Sequence, residues 1–326
     1  MKKYILTMVL LLGMSMTVFA DSVIYLEHEG GMTTFKAENI NDALEAAANG
    51  DVLYLSEGTY PGFTITKQIS IKGVGQLTII NGDIEINNPD KEKLTGIFIG
   101  YLDMKKFIVS SPIRGLKISQ CQISSTDFYA ITENSHLDRC NIDYLNVGES
   151  YDKTVTIDDI SNTYTYPYIK GLTITNSVIR FYFQKNQLVF SNVSLVNSFI
   201  KFISTMAGSY SYLYGTNFEN SIISSIREHN INYYNKLKII KSSIALNGTD
   251  IGDSEMIDCY DEAIEDYSVE NLTEKNYFGT DGTVIGPYGG NTPYTLVPAV
   301  PRVTKSEIKI DPKKQEMNAT LTVTPK

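Results

Sequence analysis

"GLTITNSVI", residues 171–179, decides the fold because its apolar alternation breaks in the middle. Leu172 and Ile174 share one parity, and Ser177 and Ile179 share the other. Alternating apolar residues mark a strand with one buried face, and a slip of one residue would turn that strand inside out. The slip is harmless only if the chain bends there. One residue in a left-handed conformation supplies such a bend, and Asn accepts it best after Gly.

The break recurs along the chain. Asn176 aligns with Gln120 in "LKISQCQI", Arg139 in "LDRCNI", Asn197 in "LVNSFI", Asn220 in "FENSII" and Lys241 in "LKIIKSSI". Weaker copies place Tyr101 ("IFIGYLDM") and Asp159 ("VTIDDIS") at the same point. Successive positions are 19, 19, 20, 17, 21, 23 and 21 residues apart. Two short strands meeting at a one-residue corner, at a steady period, describe one coil of a parallel β-helix. Coils stack at about 4.8 Å, so corner residues form columns. Asn176, Asn197 and Asn220 are expected to form an amide ladder. A small residue follows each corner: Cys121, Cys140, Ser177, Ser198, Ser221 or Ser242. The leucine-rich repeat pattern is absent, and a β-sandwich would show turns every eight to twelve residues without a fixed phase.

A solenoid needs capped ends. "NINDALEAAANGD" puts Ile40, Ala43, Leu44 and Ala47 on one face of a short helix over about 40–48, with Asn39 as N-cap and Gly50 as terminator. This helix would plug the barrel mouth, and the first strands follow, with Gly58 and Gly73 at corners. At the other end, residues 287–301 are rich in Pro and Gly and read as a wrap. "SEIKID" and "NATLTV" then form a hairpin expected to dock along the last coils. The expected organisation is therefore a signal peptide over 1–20, a β-helix domain over 21–286, and the wrap and hairpin over 287–326.

The signal peptide is read from Lys2 and Lys3, an apolar run over 5–16, and small Val18 and Ala20 before the cut. That run is short for a membrane span. The mature chain is expected in the periplasm, at the cell surface or secreted, without a transmembrane anchor. Net charge is −9, and loss of the two lysines leaves −11. Such a balance excludes a nucleic-acid partner and disfavours polyanions, unless a local cation patch or bound Ca²⁺ reverses the field.

"NDALEAAANGDVLYLSEGTYPG" followed by "ISIKGVG" resembles the opening of right-handed parallel β-helix proteins of the pectin-lyase-like superfamily. There, a capping helix leads through Gly-Asp into a strand and a Gly-Thr-Tyr turn. The ending "DGTVIGPYGGNTPYTLVPAVP" is similar to the close of secreted Bacteroidetes β-helix proteins of unassigned role. The resemblance implies an all-β, right-handed parallel β-helix from a Gram-negative gut-type bacterium. The superfamily includes lyases, which use carboxylate-held Ca²⁺ and a basic residue, and hydrolases, which use paired carboxylates. Asp158 and Asp159, with Arg180 and Lys185 one coil later, are the candidates for such chemistry. The superfamily's Arg-x-Pro-x-x-Arg-like run and clustered Asp motif are missing, so no catalytic residue is carried over. A cofactor is not expected, Ca²⁺ entering only with a lyase activity.

No metal site is expected. His28, His136 and His229 lack ligand spacing, and the acidic run 258–267 lacks the alternation and Gly turn of a Ca²⁺ loop. Cys121 and Cys140 fall at equivalent positions of neighbouring coils, so they either form a disulfide or replace the small Ser of later coils. Tyrosine is the odd feature, with 22 Tyr and no Trp. Counting back eight residues from the corners gives Tyr168, Val189, Tyr212 and Tyr233, and ten gives Tyr166 and Tyr210. Such a column, if exposed, is a ridge for stacking sugars or docking a cell-surface protein; buried, it fills the core. The expected function is a non-catalytic glycan- or partner-binding module, with a polysaccharide lyase or glycosidase, or a structural spacer, as alternatives.

Overall fold

The computed structural model describes residues 22–90, 92–147, 151–157, 160–166, 169–183, 187–204, 211–224, 233–235, 238–244, 254–296, 302–311 and 316–324. Among these, the chain forms a parallel β-solenoid of about seven turns. Three sheets wall it, of twelve, nine and seven strands. A representative coil runs through Ile113–Arg114 in the seven-stranded sheet, Lys117–Ser119 in the twelve-stranded sheet and Gln122–Phe128 in the nine-stranded sheet.

Among the described residues, two corners of the regular coils are left-handed bends. Between the twelve- and nine-stranded sheets, Tyr101, Gln120, Arg139, Asn176, Asn197, Asn220 and Lys241 have φ of 45–62°. These are the phase slips of the sequence. Asp258, with φ 49°, adds a corner that the repeat reading missed. The other corner carries Gly96, Gly115, Asn134, Gly171, Asn192 and Gly215 at positive φ. At Gly171 a side chain would also collide, since a Cβ would lie 2.5 Å from the Asn134 Oδ1.

Cys121, Cys140, Ser177, Ser198, Ser221 and Ser242, the small residues after the corner, are fully buried. They form a hydroxyl ladder. Ser177, Ser198, Ser221 and Ser242 each donate Oγ to the carbonyl two residues earlier, at 2.7–2.9 Å. Each also accepts the backbone N–H of its counterpart one coil back, at 3.0–3.3 Å. Cys121, Cys140 and Cys259 take the same place and donate Sγ to the same carbonyl position. The three thiols are free. Burial drives the Cys140 thiol pKa up to about 12 and the Cys121 pKa well above the usual thiol value.

Two elements depart from the sequence reading. "VTIDDIS" is not a coil: Tyr151–Ile157 and Ile160–Tyr166 pair antiparallel as a hairpin. Arg139 and Asn176 are consecutive corners, since Arg139 N–H donates directly to Thr175 O at 2.9 Å. The physical reason is the pattern itself, two β-branched and Tyr-rich runs around a two-residue link, which is a hairpin signal. At the N-terminus, Val23–His28 and Gly31–Lys36 form a second hairpin, and its first strand runs antiparallel to Val52–Leu55. This hairpin caps the sheet edge together with the helix.

The helix spans Ile40–Ala46, with Ile40, Ala43 and Leu44 buried and Ala47 buried beyond its end. Asn39 makes no side-chain cap bond, because it closes a 3₁₀ turn, Ala37–Asn39, that leads into the helix. The C-terminal carbonyls are met by Lys67, whose Nζ donates to Leu44, Glu45 and Ala47 oxygens at 3.2, 2.8 and 2.6 Å.

The C-terminal segment builds a second apolar core outside the solenoid. In three successive coils the first outward position of the nine-stranded sheet is polar: Asp103, Gln122 and Asn141. In later coils it is Val178, Phe199 and Ile222. Ile264, Leu272, Val284 and Ile285 cover that apolar stripe. The C-terminal strands Arg302–Asp311 and Glu316–Thr324 pair with each other as the expected hairpin.

Candidate functional site

The Asn column does not form an amide ladder; its side chains hold a strap. Asn220 Oδ1 accepts the Thr280 N–H at 2.8 Å, and its carbonyl accepts the Gly286 N–H at 2.7 Å. Asn176 Nδ2 donates to the Gly289 and Pro287 oxygens at 2.7 and 3.3 Å, and Gln120 Nε2 to Thr295 O at 3.2 Å. The Gly-rich segment thus runs back over the corners of successive coils. Gly290, at φ +74°, passes so close that a Cβ would lie 2.3 Å from Asn197 Nδ2. Asn176 and Gln120 thus bond to strap carbonyls and Asn220 to Thr280, while the buried Asn197 Oδ1 has no hydrogen-bond partner among the described residues.

Of the residues proposed for chemistry, Asp158, Asp159 and Lys185 lie outside the described residues. Arg180 sits on the nine-stranded sheet, where its Nη1 meets Asp143 Oδ1 at 2.7 Å, an ion pair about one-third exposed on each side. Asp143 was not singled out from the sequence. Its partnership depends on Arg139 and Asn176 being adjacent corners, which the hairpin insertion hides.

Of the tyrosines named above, Tyr212 and Tyr233 lie in strands of the seven-stranded wall. Tyr168 and Tyr210 lie outside the described residues. Tyr166 belongs to the inserted hairpin, opposite Tyr151, and not to the wall. Tyr212 and Tyr233 are direct lateral partners in adjacent coils, as the corner count predicts. Leu188, not Val189, continues their row, because a bulge follows it. Lys170 pairs with Ser191, and Ser191 with Tyr214. Tyr212 and Tyr214 therefore share the strand parity of Lys170, Glu133 and Arg114 in earlier coils. The opposite parity there carries the buried Ile113, Thr132 and Ile169.

On that wall one carboxylate gathers three cations. Glu133 lies 2.7 Å from Lys93 Nζ, 3.4 Å from Lys170 Nζ and 3.6 Å from Arg114 Nη2. The Lys93 hydrogen bond, with further pull from Lys170, holds the Glu133 carboxyl below its usual pKa despite partial burial. Arg114, Glu133, Asn134, Lys170, Gly171 and Asn192 line an open depression of about 250 Å³. Sequence reading missed this cluster because its members come from four different coils.

Among the described residues, no group of His, Cys, Asp and Glu is arranged to hold a metal ion, and no helix is long and apolar enough to cross a membrane. No family model matches the chain, and no curated protein or solved structure matches it.

Proposed function

We propose that the protein is an exported, non-catalytic binding module that engages a glycan along the seven-stranded wall of its solenoid. One observation carries this reading: Tyr212 and Tyr233 stand in register one coil apart, on the strand parity of the charged row. Tyrosines at one position of successive coils suit a chain-like ligand, since Tyr carries a flat, apolar face with a polar tip. The signal-peptide pattern supports export, and the likeness of residues 41–62 and 69–75 to the opening of pectin-lyase-like proteins supports an extracellular glycan as ligand.

The test is a panel of extracellular polysaccharides offered to the mature chain, scored for both binding and breakdown. Binding that falls at least tenfold in Tyr212→Ala and Tyr233→Ala, with the polymer intact, is the expected result. New reducing or unsaturated ends would make the protein an enzyme. Binding indifferent to both substitutions would remove the wall as the site.

A further inference from the structure

We propose that the depression between Arg114 and Lys170 binds a tetrahedral oxyanion, a sulfate ester or phosphate monoester, borne by the ligand of the seven-stranded wall. The identity of the bearer rests on the glycan-binding reading; the pocket chemistry does not.

Charge is the first ground. The chain carries −9 overall, yet here three cations meet one carboxylate and leave an excess of two positive charges. As a stabilising device the cluster is poor. Its cations are 39–58% exposed, and exposed pairs contribute little.

Donor supply is the second ground. Lys93 closes on Glu133 at 2.7 Å, but Lys170 and Arg114 stand off at 3.4 and 3.6 Å. Glu133 draws at most one N–H from Lys170, so it positions these two and leaves their remaining donors. Arg offers five N–H groups in a fork and Lys three. Asn134 and Asn192 line the same depression from left-handed corners, with φ of 47° and 54°. Their backbone is fixed by the coil.

Shape is the third ground. About 250 Å³ is below the range of pockets for drug-sized ligands and suits one charged group on a longer molecule. A planar carboxylate is satisfied by a single Arg fork. Here the donors come from different coils, so an anion bridging them needs oxygens that diverge, as in a tetrahedral group.

The experiment titrates the mature protein at low ionic strength with inorganic sulfate and phosphate, then with size-matched sulfated, phosphorylated, carboxylated and neutral oligosaccharides. Expected are salt-weakened binding of the tetrahedral anions and at least a tenfold loss in the Arg114→Ala/Lys170→Ala double variant. Glu133→Gln removes the competing charge and is expected to tighten anion binding. Circular dichroism of each variant verifies the fold. Which ester binds tighter identifies the group. Equal or tighter binding of the carboxylated ligand, or anion binding unchanged in the double variant, overturns the proposal. Binding of neutral glycans alone sinks this inference and leaves the wall reading standing. Inorganic sulfate or phosphate bound through Arg114 and Lys170, with every glycan refused, leaves the anion site standing and sinks the glycan reading.

Discussion

The Asn176 side-chain amide donates to the Gly289 carbonyl oxygen across 2.7 Å, 113 residues further along the chain. The residue that turns a coil corner thus also holds the C-terminal strap. Both duties meet at one position with φ 46°. Two substitutions separate them. Asn176→Gly keeps the bend and loses the strap bonds; Asn176→Ala loses both. A buried hydrogen bond left unmade costs about 1–3 kcal/mol, and a left-handed Cβ costs about 1–2 kcal/mol more. Denaturant unfolding is expected to rank wild type above Asn176→Gly, and Asn176→Gly above Asn176→Ala.

Phe199 anchors the outer apolar core, its ring centroid 4.4 Å from that of Tyr267. Phe199→Ala is expected to cost about 3–5 kcal/mol, as large-to-small changes in packed cores do. The loss falls on the C-terminal segment rather than the solenoid interior, because Phe199 faces away from the main core. Limited proteolysis checks this, with earlier cutting within 260–296 while the coils stay resistant.

Lys67 is the C-terminal cap of the plug helix, meeting three carbonyl oxygens with one ammonium. Lys67→Met keeps the stem and removes every donor. A loss of about 1–3 kcal/mol is expected from the abandoned carbonyls, added to the lost charge at the helix's negative end. Lys67→Arg restores part of it. Chemical denaturation of the three proteins measures the order.

The two described histidines titrate in opposite directions from 6.5. The hydrogen bond to Asp51 raises His28, and burial lowers His136. A raised pKa means that the His28 contribution to stability is complete below 6.5 and is lost as pH rises through the raised value. The His136 contribution has the reverse sense: complete above 6.5 and lost as pH falls through the lowered value. An NMR titration is expected to place one imidazole on each side of 6.5. Asp51→Asn should bring His28 down and leave His136 where it was.

Cys121 and Cys140 are fully buried thiols bonded to carbonyls, while Cys259 is partly exposed. A thiol reagent is expected to label Cys259 first and the other two only on unfolding. An intact mass two hydrogens lighter, with two thiols unlabelled even in denaturant, would show that they pair instead.

The corner at Asn176 was legible because a phase slip is local: two parities and one residue that tolerates left-handed φ. The same holds for Gln120, Arg139, Asn197, Asn220 and Lys241, and for the apolar face of the plug helix. The hairpin around Asp158 and Asp159 was misread because its two residues between apolar runs mimic a corner. Only strand direction separates them, and direction depends on which neighbour offers hydrogen bonds. The Arg180–Asp143 pair and the Glu133 cluster followed the same rule, since stacking joins residues that the chain holds far apart.

By itself, the sequence determined the coil, its corners and the small residue packed inside each, since these depend on contacts within a few residues. It also carried, unread, the change from Asp103, Gln122 and Asn141 to Val178, Phe199 and Ile222 that marks where the last segment docks. What covers that stripe, what the corner amides bind and which charges converge on Glu133 were decided only by the tertiary structure. Stacking at a fixed spacing turns one position per coil into a continuous surface, and the partners of that surface are set by where the chain returns in space.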